Sequence, residues 1–326
     1  MGDFSTNSPK VTIFGGTGFL GRYVVQRLAR QGWIINIVSR NPSKGLFLKT
    51  QGNIGQINLI KGDFLYIESL KDSLEGSNAI INCVGILDES NDQKFKLLHS
   101  EVPGQLAKYA SQFGVGQFIH ISSIGADENS ESHYAKTKGV GEARIRDGFP
   151  EAKILRSSVM FGAEDKFFNL FALIASLSPV IPMVGGQTLF QPVYVDDVAC
   201  AVEKLLYPNL KSKNELLFEL GGSEVLSFRN LMAKMLFLIQ RKRILLDIPF
   251  GIADIFCPLV YMANKLTLNT IPLLITKDKI RQLKKDNIVS KDIPGFNELA
   301  IAPRVLDAIL PTYLNRYRPK GQFNDL

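Results

Sequence analysis

Tyr134 and Lys138 stand four residues apart in the stretch HYAKTKGVGEARI. On a helix that spacing turns both side chains the same way. An ammonium held near a phenol favours the phenolate, so the tyrosine could give or take a proton close to neutral pH. Upstream, Ser122 and Ser123 close the apolar run FIHISS, where a hydroxyl at a strand end could hydrogen-bond a substrate carbonyl. A Tyr-x-x-x-Lys pair is common by itself. It gains meaning when a dinucleotide is seated beside it.

The stretch VTIFGGTGFLGRYVVQRLARQGWIINIVSR has the form of such a seat. Gly15, Gly18 and Gly21 follow an apolar run and open an amphipathic one. In the loop Gly15, Gly16, Thr17, Gly18, Phe19, Leu20, Gly21 the small residues let backbone N–H groups at a helix start approach a pyrophosphate. At the end of the second strand, a cofactor with a free ribose 2′-hydroxyl usually meets a carboxylate, and a 2′-phosphate meets arginine. Ser39 and Arg40 stand there, so NADPH is expected ahead of NADH. Asp63 and Phe64 follow the third strand and are expected to flank the adenine. Val84 and Gly85 end the fourth and complete the expected cofactor contacts.

These side chains need a frame to hold them. Short apolar runs at 11–14, 34–38, 57–60, 79–83 and 118–121 read as strands, and 19–31, 67–74 and 94–113 carry apolar positions at helical spacing. The alternation predicts an α/β protein with a doubly wound parallel (Rossmann) sheet and a smaller, mostly helical C-terminal lobe. The expected division is a dinucleotide-binding core over residues 1–160. Residues 161–326 would be a mixed segment that returns to the sheet and forms a docking lobe. A chain of 326 residues, 45% hydrophobic, is long enough to bury both.

Charge is placed unevenly. Residues 1–210 hold 20 basic and 20 acidic side chains, and residues 211–326 hold 18 and 11, so the net +7 lies in the last third. There QRKRILL and KDKIRQLKKDN set basic clusters beside apolar runs, as a docking or anionic lipid surface would. No nucleic-acid partner and no transmembrane segment is expected: the uncharged stretch 167–195 is broken by Pro179, Pro182 and Gly185-Gly186, and IPFGIADIFCPLVYMANKL carries Asp254 and Pro258. Cys83, Cys200 and Cys257 read as separate reduced thiols, with no metal-ligand spacing to His99, His120 or His133. MGDFSTNSP fits neither a secretory signal nor an Arg-rich transit peptide, which points to a cytosolic or already processed chain.

At Tyr134, Lys138 and Ser123 or Ser122 the sequence resembles the extended and atypical short-chain dehydrogenase/reductase superfamily. ILRSSVMFG and QPVYVDDVA extend the likeness, although Ser157 replaces a usual proline and the stretch around Gly125 lacks the aromatic-Gly ending of sugar-nucleotide epimerases. One branch is similar nearly end to end, through LLITKDKIRQLKKDN and PGFNELAIAPRVLDAILPTYLNRYR: the nucleotide-binding accessory subunits of respiratory complex I and their bacterial relatives. This resemblance implies a tightly held NADPH that is not turned over, peripheral-arm subunits of complex I as partners, and a position at the membrane. The expected place is the cytoplasmic face of a bacterial inner membrane, with the mitochondrial matrix side as the alternative. The competing reading is a working NADPH-dependent reductase or epimerase with Tyr134 as acid/base, Lys138 tuning it and Ser123 orienting substrate. Tyr134 and Lys138 would also persist if they only hydrogen-bonded the nicotinamide ribose.

Overall fold

A computed structural model of the chain describes residues 8–90, 93–207, 215–257 and 276–321. Strands β1 (Lys10–Phe14), β2 (Ile34–Ser39) and β4 (Ala79–Asn82) are short, rich in Val and Ile, and buried at nearly every position. Such runs suit a parallel sheet covered on both faces rather than a half-wet antiparallel one. With β3 (Ile57–Lys61), β5 (Gln117–Ser123), β6 (Lys153–Ser157) and β11 (Leu217–Leu220) they form a seven-stranded sheet in the order β11-β6-β5-β4-β1-β2-β3, every neighbouring pair parallel. The order reverses between β1 and β4. That switch point opens a crevice at the carboxyl ends of the strands, where the expected doubly wound sheet should hold its ligand.

Helix α1 (Phe19–Arg30) buries Leu20, Val24, Val25 and Leu28 against one face of the sheet, and α2 (Val102–Gln112) and α3 (His133–Gly148) cover the other. Helix α5 (Val195–Leu205) lies beside α1 and is clamped to it by Arg27, whose guanidinium takes both oxygens of Asp196 at 2.7 and 2.8 Å and Glu203 at 2.9 Å. Arg304 completes the cluster with Asp196 at 3.1 Å and donates its backbone N–H to Asp197 at 2.7 Å. The two aspartates of QPVYVDDVA therefore fasten elements together.

Beyond β6 the chain leaves the sheet and returns. Short strands β7 (Met160–Phe161), β8 (Val180–Val184), β9 (Leu189–Phe190), β10 (Val193–Tyr194), β12 (Leu226–Ser227) and β13 (Ile244–Ile248) pair two by two. Around them lie α4 (Phe168–Leu177), α6 (Phe228–Leu238), α7 (250–257), α8 (Lys277–Leu283) and α9 (Leu306–Leu314). A second core of Phe161, Phe168, Met183, Phe228, Met232, Leu306 and Leu310 holds this lobe.

Some expected elements differ. Residues Pro42–Gln51 form a 3-10 helix where none was foreseen, and Phe64–Leu74 is also 3-10, broken at Tyr66. The expected helix over 94–113 begins with wide π-type turns at Lys96–Glu101, which carry the buried His99 ring, held by the Ile86 N–H at 3.1 Å and by Thr137 at 3.3 Å. The three cysteines are free thiols, Cys257 buried and the others half-buried. In IPFGIADIFCPLVYMANKL only residues up to Cys257 fall among those described, and the start of LLITKDKIRQLKKDN and residues 1–7 lie outside them. Among the described residues no helix is long and apolar enough to cross a membrane, and no three metal-ligating side chains gather.

Candidate functional site

The glycine loop turns from β1 into α1 above the switch point. Gly15 takes φ +77°, in the left-handed region that disfavours other residues, and a Cβ there would press on the Cys83 carbonyl at 3.0–3.1 Å. At Gly21 a Cβ would sit 2.2 Å from the Gly15 carbonyl oxygen, so only glycine lets α1 start this close to the strand. Gly18 is the N-cap of α1. It brings no side-chain cap, and the first turn holds no acidic residue, so the opening N–H groups and the positive end of the helix dipole are left for an outside anion.

A cavity of about 280 Å³ lies before that helix end, and Gly15, Thr17, Gly18, Ser39, Arg40, Asp63, Phe64, Val84 and Gly85 all line it. The other loop residues serve behind it: Gly16 backs onto Ile37, Phe19 packs edge-on to Tyr23, and Leu20 is core. Arg40 closes the far side. With its amide oxygen turned toward the guanidinium, Gln93 accepts from both terminal nitrogens of Arg40. Ser39 spends its hydroxyl on the Asn41 carbonyl at 3.2 Å, and the Asp63 carboxylate accepts from the Leu65 N–H at 3.1 Å. Gln93, Ile86, Leu97 and Leu98 also line the cavity and carry no signature in the sequence, since they come from a loop and an irregular helix.

On the other side of Gly85, Lys138 is buried and donates to the Ile121 carbonyl at 3.1 Å. Its Nζ lies 3.5 Å from where a Gly85 Cβ would be, so α3 brings it to the edge of the nucleotide cavity. Burial lowers the lysine to about 8, offset in part by the Glu142 carboxylate. Tyr134 differs from the expectation. Burial raises its phenol, and the Lys138 ammonium, which is turned to the β5 backbone, is not a group that opposes this. Ser122 and Ser123 part company because neighbouring strand residues face opposite sides. Ser122 donates to Glu142 at 2.5 Å, within a buried chain that runs on through Arg156 to Glu219. Ser123 stays beside Tyr134, its Oγ buried with no hydrogen-bond partner.

A dinucleotide fits these residues: a cradle that a Cβ at Gly15 or Gly21 would spoil, an uncapped helix end, and an orphaned buried hydroxyl beside Tyr134. Fold and site together define an extended short-chain dehydrogenase/reductase. Residues 11–216 match the NAD dependent epimerase/dehydratase family. The mitochondrial NADH dehydrogenase [ubiquinone] 1 alpha subcomplex subunit 9 of Arabidopsis thaliana is 31% identical over 98% of this chain and 81% of its own length. The mitochondrial NADH-ubiquinone oxidoreductase 40 kDa subunit of Neurospora crassa is 30% identical over 99% and 83%. Among solved structures, the dTDP-glucose 4,6-dehydratase DesIV of Streptomyces venezuelae, with NAD and TYD bound, superposes with a TM-score of 0.69 at 17% identity, covering 94% of this chain and 96% of that one. The chain belongs to the NAD dependent epimerase/dehydratase family and, within it, to the branch that holds these respiratory NADH dehydrogenase subunits.

Proposed function

We propose that this chain is an NADPH-carrying accessory subunit of a respiratory NADH:ubiquinone oxidoreductase, complex I, and that it turns over no substrate of its own. The observation that carries the reading is the extent of the similarity. The match to the epimerase/dehydratase family ends at residue 216, whereas the likeness to the respiratory subunits runs on through the C-terminal lobe, over 98–99% of this chain. NADPH is favoured over NADH by Arg40 at the cavity wall, a guanidinium suited to a 2′-phosphate, with no carboxylate at the end of β2 to repel it. A bound NADPH supplies a hydride when a substrate is offered; here it is held as part of the structure. Tyr134, Lys138 and Ser123 are assigned to its nicotinamide end.

We assign nucleotide binding to residues 1–160 and docking to 161–326, against peripheral-arm subunits at the cytoplasmic face of a bacterial inner membrane or, alternatively, the matrix side of a mitochondrial one. The lobe offers a fitting surface. Leu177, Phe237 and Ile244 are 80%, 82% and 65% exposed, and the start of β13 brings Lys242 and Ile244 to the end of α4. Apolar side chains beside lysines suit a protein partner or anionic lipid. Arg241 and Arg243 are occupied, donating to the carbonyls of Tyr317 at 2.8 Å and Ala175 at 2.6 Å, so docking is tested at Lys242 and Lys285. The experiment is isolation of complex I from the native membrane. The chain should copurify with stoichiometric NADPH, and reversing charge at Lys242 and Lys285 should make attachment weaker and more salt-sensitive. A chain absent from complex I that reduces a carbonyl substrate, and stops doing so as Tyr134→Phe, would establish the enzyme reading instead.

A further inference from the structure

Helix α8 comes from the docking lobe, yet its side chains reach the start of α3 and the loop that follows β4, both beside the nucleotide cavity. Asp278 reaches across to the start of α3: one carboxylate oxygen accepts the His133 N–H at 2.6 Å, and the other accepts the Tyr134 N–H and the Ser132 hydroxyl, each at 3.1 Å. Gln282, one turn on, donates to the same carboxylate at 3.1 Å. Lys279 forms an ion pair with Asp88 at 2.7 Å, two residues beyond the Val84, Gly85 and Ile86 wall of the cavity. Arg281 donates to the Glu131 carbonyl at 3.2 Å, in the loop that leads into α3.

These contacts are not needed to end a helix. Ser132 already caps α3 by accepting the Ala135 N–H at 3.3 Å, which is what an N-cap serine does unaided. Asp278 adds a full negative charge from a segment about 145 residues away, placed at the positive end of the helix that carries Tyr134 and Lys138. Asp278 thus ties α8 to α3, which carries Lys138 at the cavity edge, and Lys279 ties it to the loop that continues the Val84–Ile86 wall.

We infer that Asp278 is a positioning residue for the nucleotide site, and that through it the docking lobe and the bound nucleotide stabilise each other. The inference rests on the nucleotide binding proposed above. Coupling of this kind is reciprocal: a nucleotide that favours the seated α3 also favours the seated α8, and a partner that holds the lobe tightens the nucleotide by the same factor. Loss of the Asp278 carboxylate should cost roughly tenfold in affinity for NADPH, within the usual range of coupling between sites.

The test uses the full chain, with NADPH as the probe, and reads nucleotide affinity and amide hydrogen exchange together. In the wild type, NADPH should slow exchange at residues 133–136 and at 277–283. In Asp278→Ala, NADPH should bind about tenfold more weakly and still protect 133–136, while 277–283 exchanges at the same rate with and without it. Asp278→Asn keeps one acceptor oxygen without the charge and should fall between the two, which serves if the alanine variant folds poorly. Lys234→Ala is the control, because it breaks the lobe's bridge to Glu224 at 3.2 Å and Asp307 at 2.9 Å without touching α8. Unchanged affinity and unchanged protection in both Asp278 variants would overturn the inference, as would an equal loss in Lys234→Ala. If the wild type itself binds no NADPH, the nucleotide reading falls with it; if it binds and Asp278 is indifferent, only the coupling falls.

Discussion

Two helices begin above the same edge of the sheet, α1 after β1 and α3 after β5, and their N-termini are treated in opposite ways. At α1 the cap is Gly18, there is no side-chain acceptor, and the helix end faces a cavity. At α3 the cap is Ser132, and the Asp278 carboxylate covers the N–H groups of His133 and Tyr134. Both ends carry the same partial positive charge. The difference shows how one fold divides its anion-attracting positions: one is kept open for a ligand, and the other is closed by the protein's own C-terminal lobe.

The largest effect should come from removing the opening altogether. Gly21→Ala puts a methyl group 2.2 Å from the Gly15 oxygen, so α1 must shift from β1, and both nucleotide binding and most of the thermal stability should be lost. Retention of NADPH by a stable Gly21→Ala variant would show that the loop can relax. Making α1 resemble α3 is a subtler break. Gly18 has extended backbone angles, φ −77° and ψ −175°, that an N-cap aspartate adopts readily, so Gly18→Asp caps α1 itself; it should change stability by only roughly a few tenths of a kcal/mol, because glycine is already a tolerated N-cap and the added Cβ meets the Gly15 carbonyl oxygen at 3.1 Å. It should also weaken NADPH roughly a hundredfold, since a carboxylate then occupies the pyrophosphate's place. Calorimetry that finds tight NADPH in Gly18→Asp would put the pyrophosphate elsewhere.

Arg40→Ala sharpens the comparison at the other end of the cavity. Loss of a charge-assisted contact should cost about 1.5–3 kcal/mol for NADPH and much less for NADH. Equal affinities for the two cofactors before and after the change would remove Arg40 from the 2′-phosphate.

A smaller effect is expected from Lys138. Burial holds its folded-state value near 8, below the 10.5 of an ordinary lysine, so between those pH values the unfolded chain binds the extra proton. Stability must then rise with pH through that window, and it is below about pH 8 that the buried ammonium weighs against folding. Relative to Lys138→Met, the wild type should gain on the order of 2 kcal/mol between pH 8 and 10.5 in denaturant unfolding. Parallel profiles would mean that the ammonium is better solvated than its burial suggests. Smallest of all, Tyr134→Phe should leave complex assembly and respiratory activity nearly unchanged, because the phenol is raised by burial and has no ammonium to draw off its proton.

Much of this was legible in the chain itself. The parallel sheet followed from apolar runs alternating with helical periodicity, and the glycine loop, Arg40, Asp63, Phe64, Val84 and Gly85 converge on one cavity because each ends or follows a strand at the sheet's carboxyl edge. What could not be read was anything set by contact at long range. Ser122 and Ser123 look alike in sequence, and only the pairing of β5 decides that one faces Glu142 and the other Tyr134. Helical spacing placed Tyr134 and Lys138 on one helix, but not the Ile121 carbonyl that claims the ammonium. Nothing in KDKIRQLKK marks Asp278 as different from any other acid in a basic helix.

The placement of the cavity along the chain also bears on how the protein is made. Its lining lies between Gly15 and Leu98, and β5, which flanks β4, ends at Ser123. Asp278 is translated about 155 residues later, which at roughly 5–20 residues per second is about 8–30 s. During that interval the nascent chain contains every residue that lines the cavity but not the carboxylate that covers the start of α3. Until Asp278 is made, nothing from the C-terminal lobe can cover the N–H groups of His133 and Tyr134.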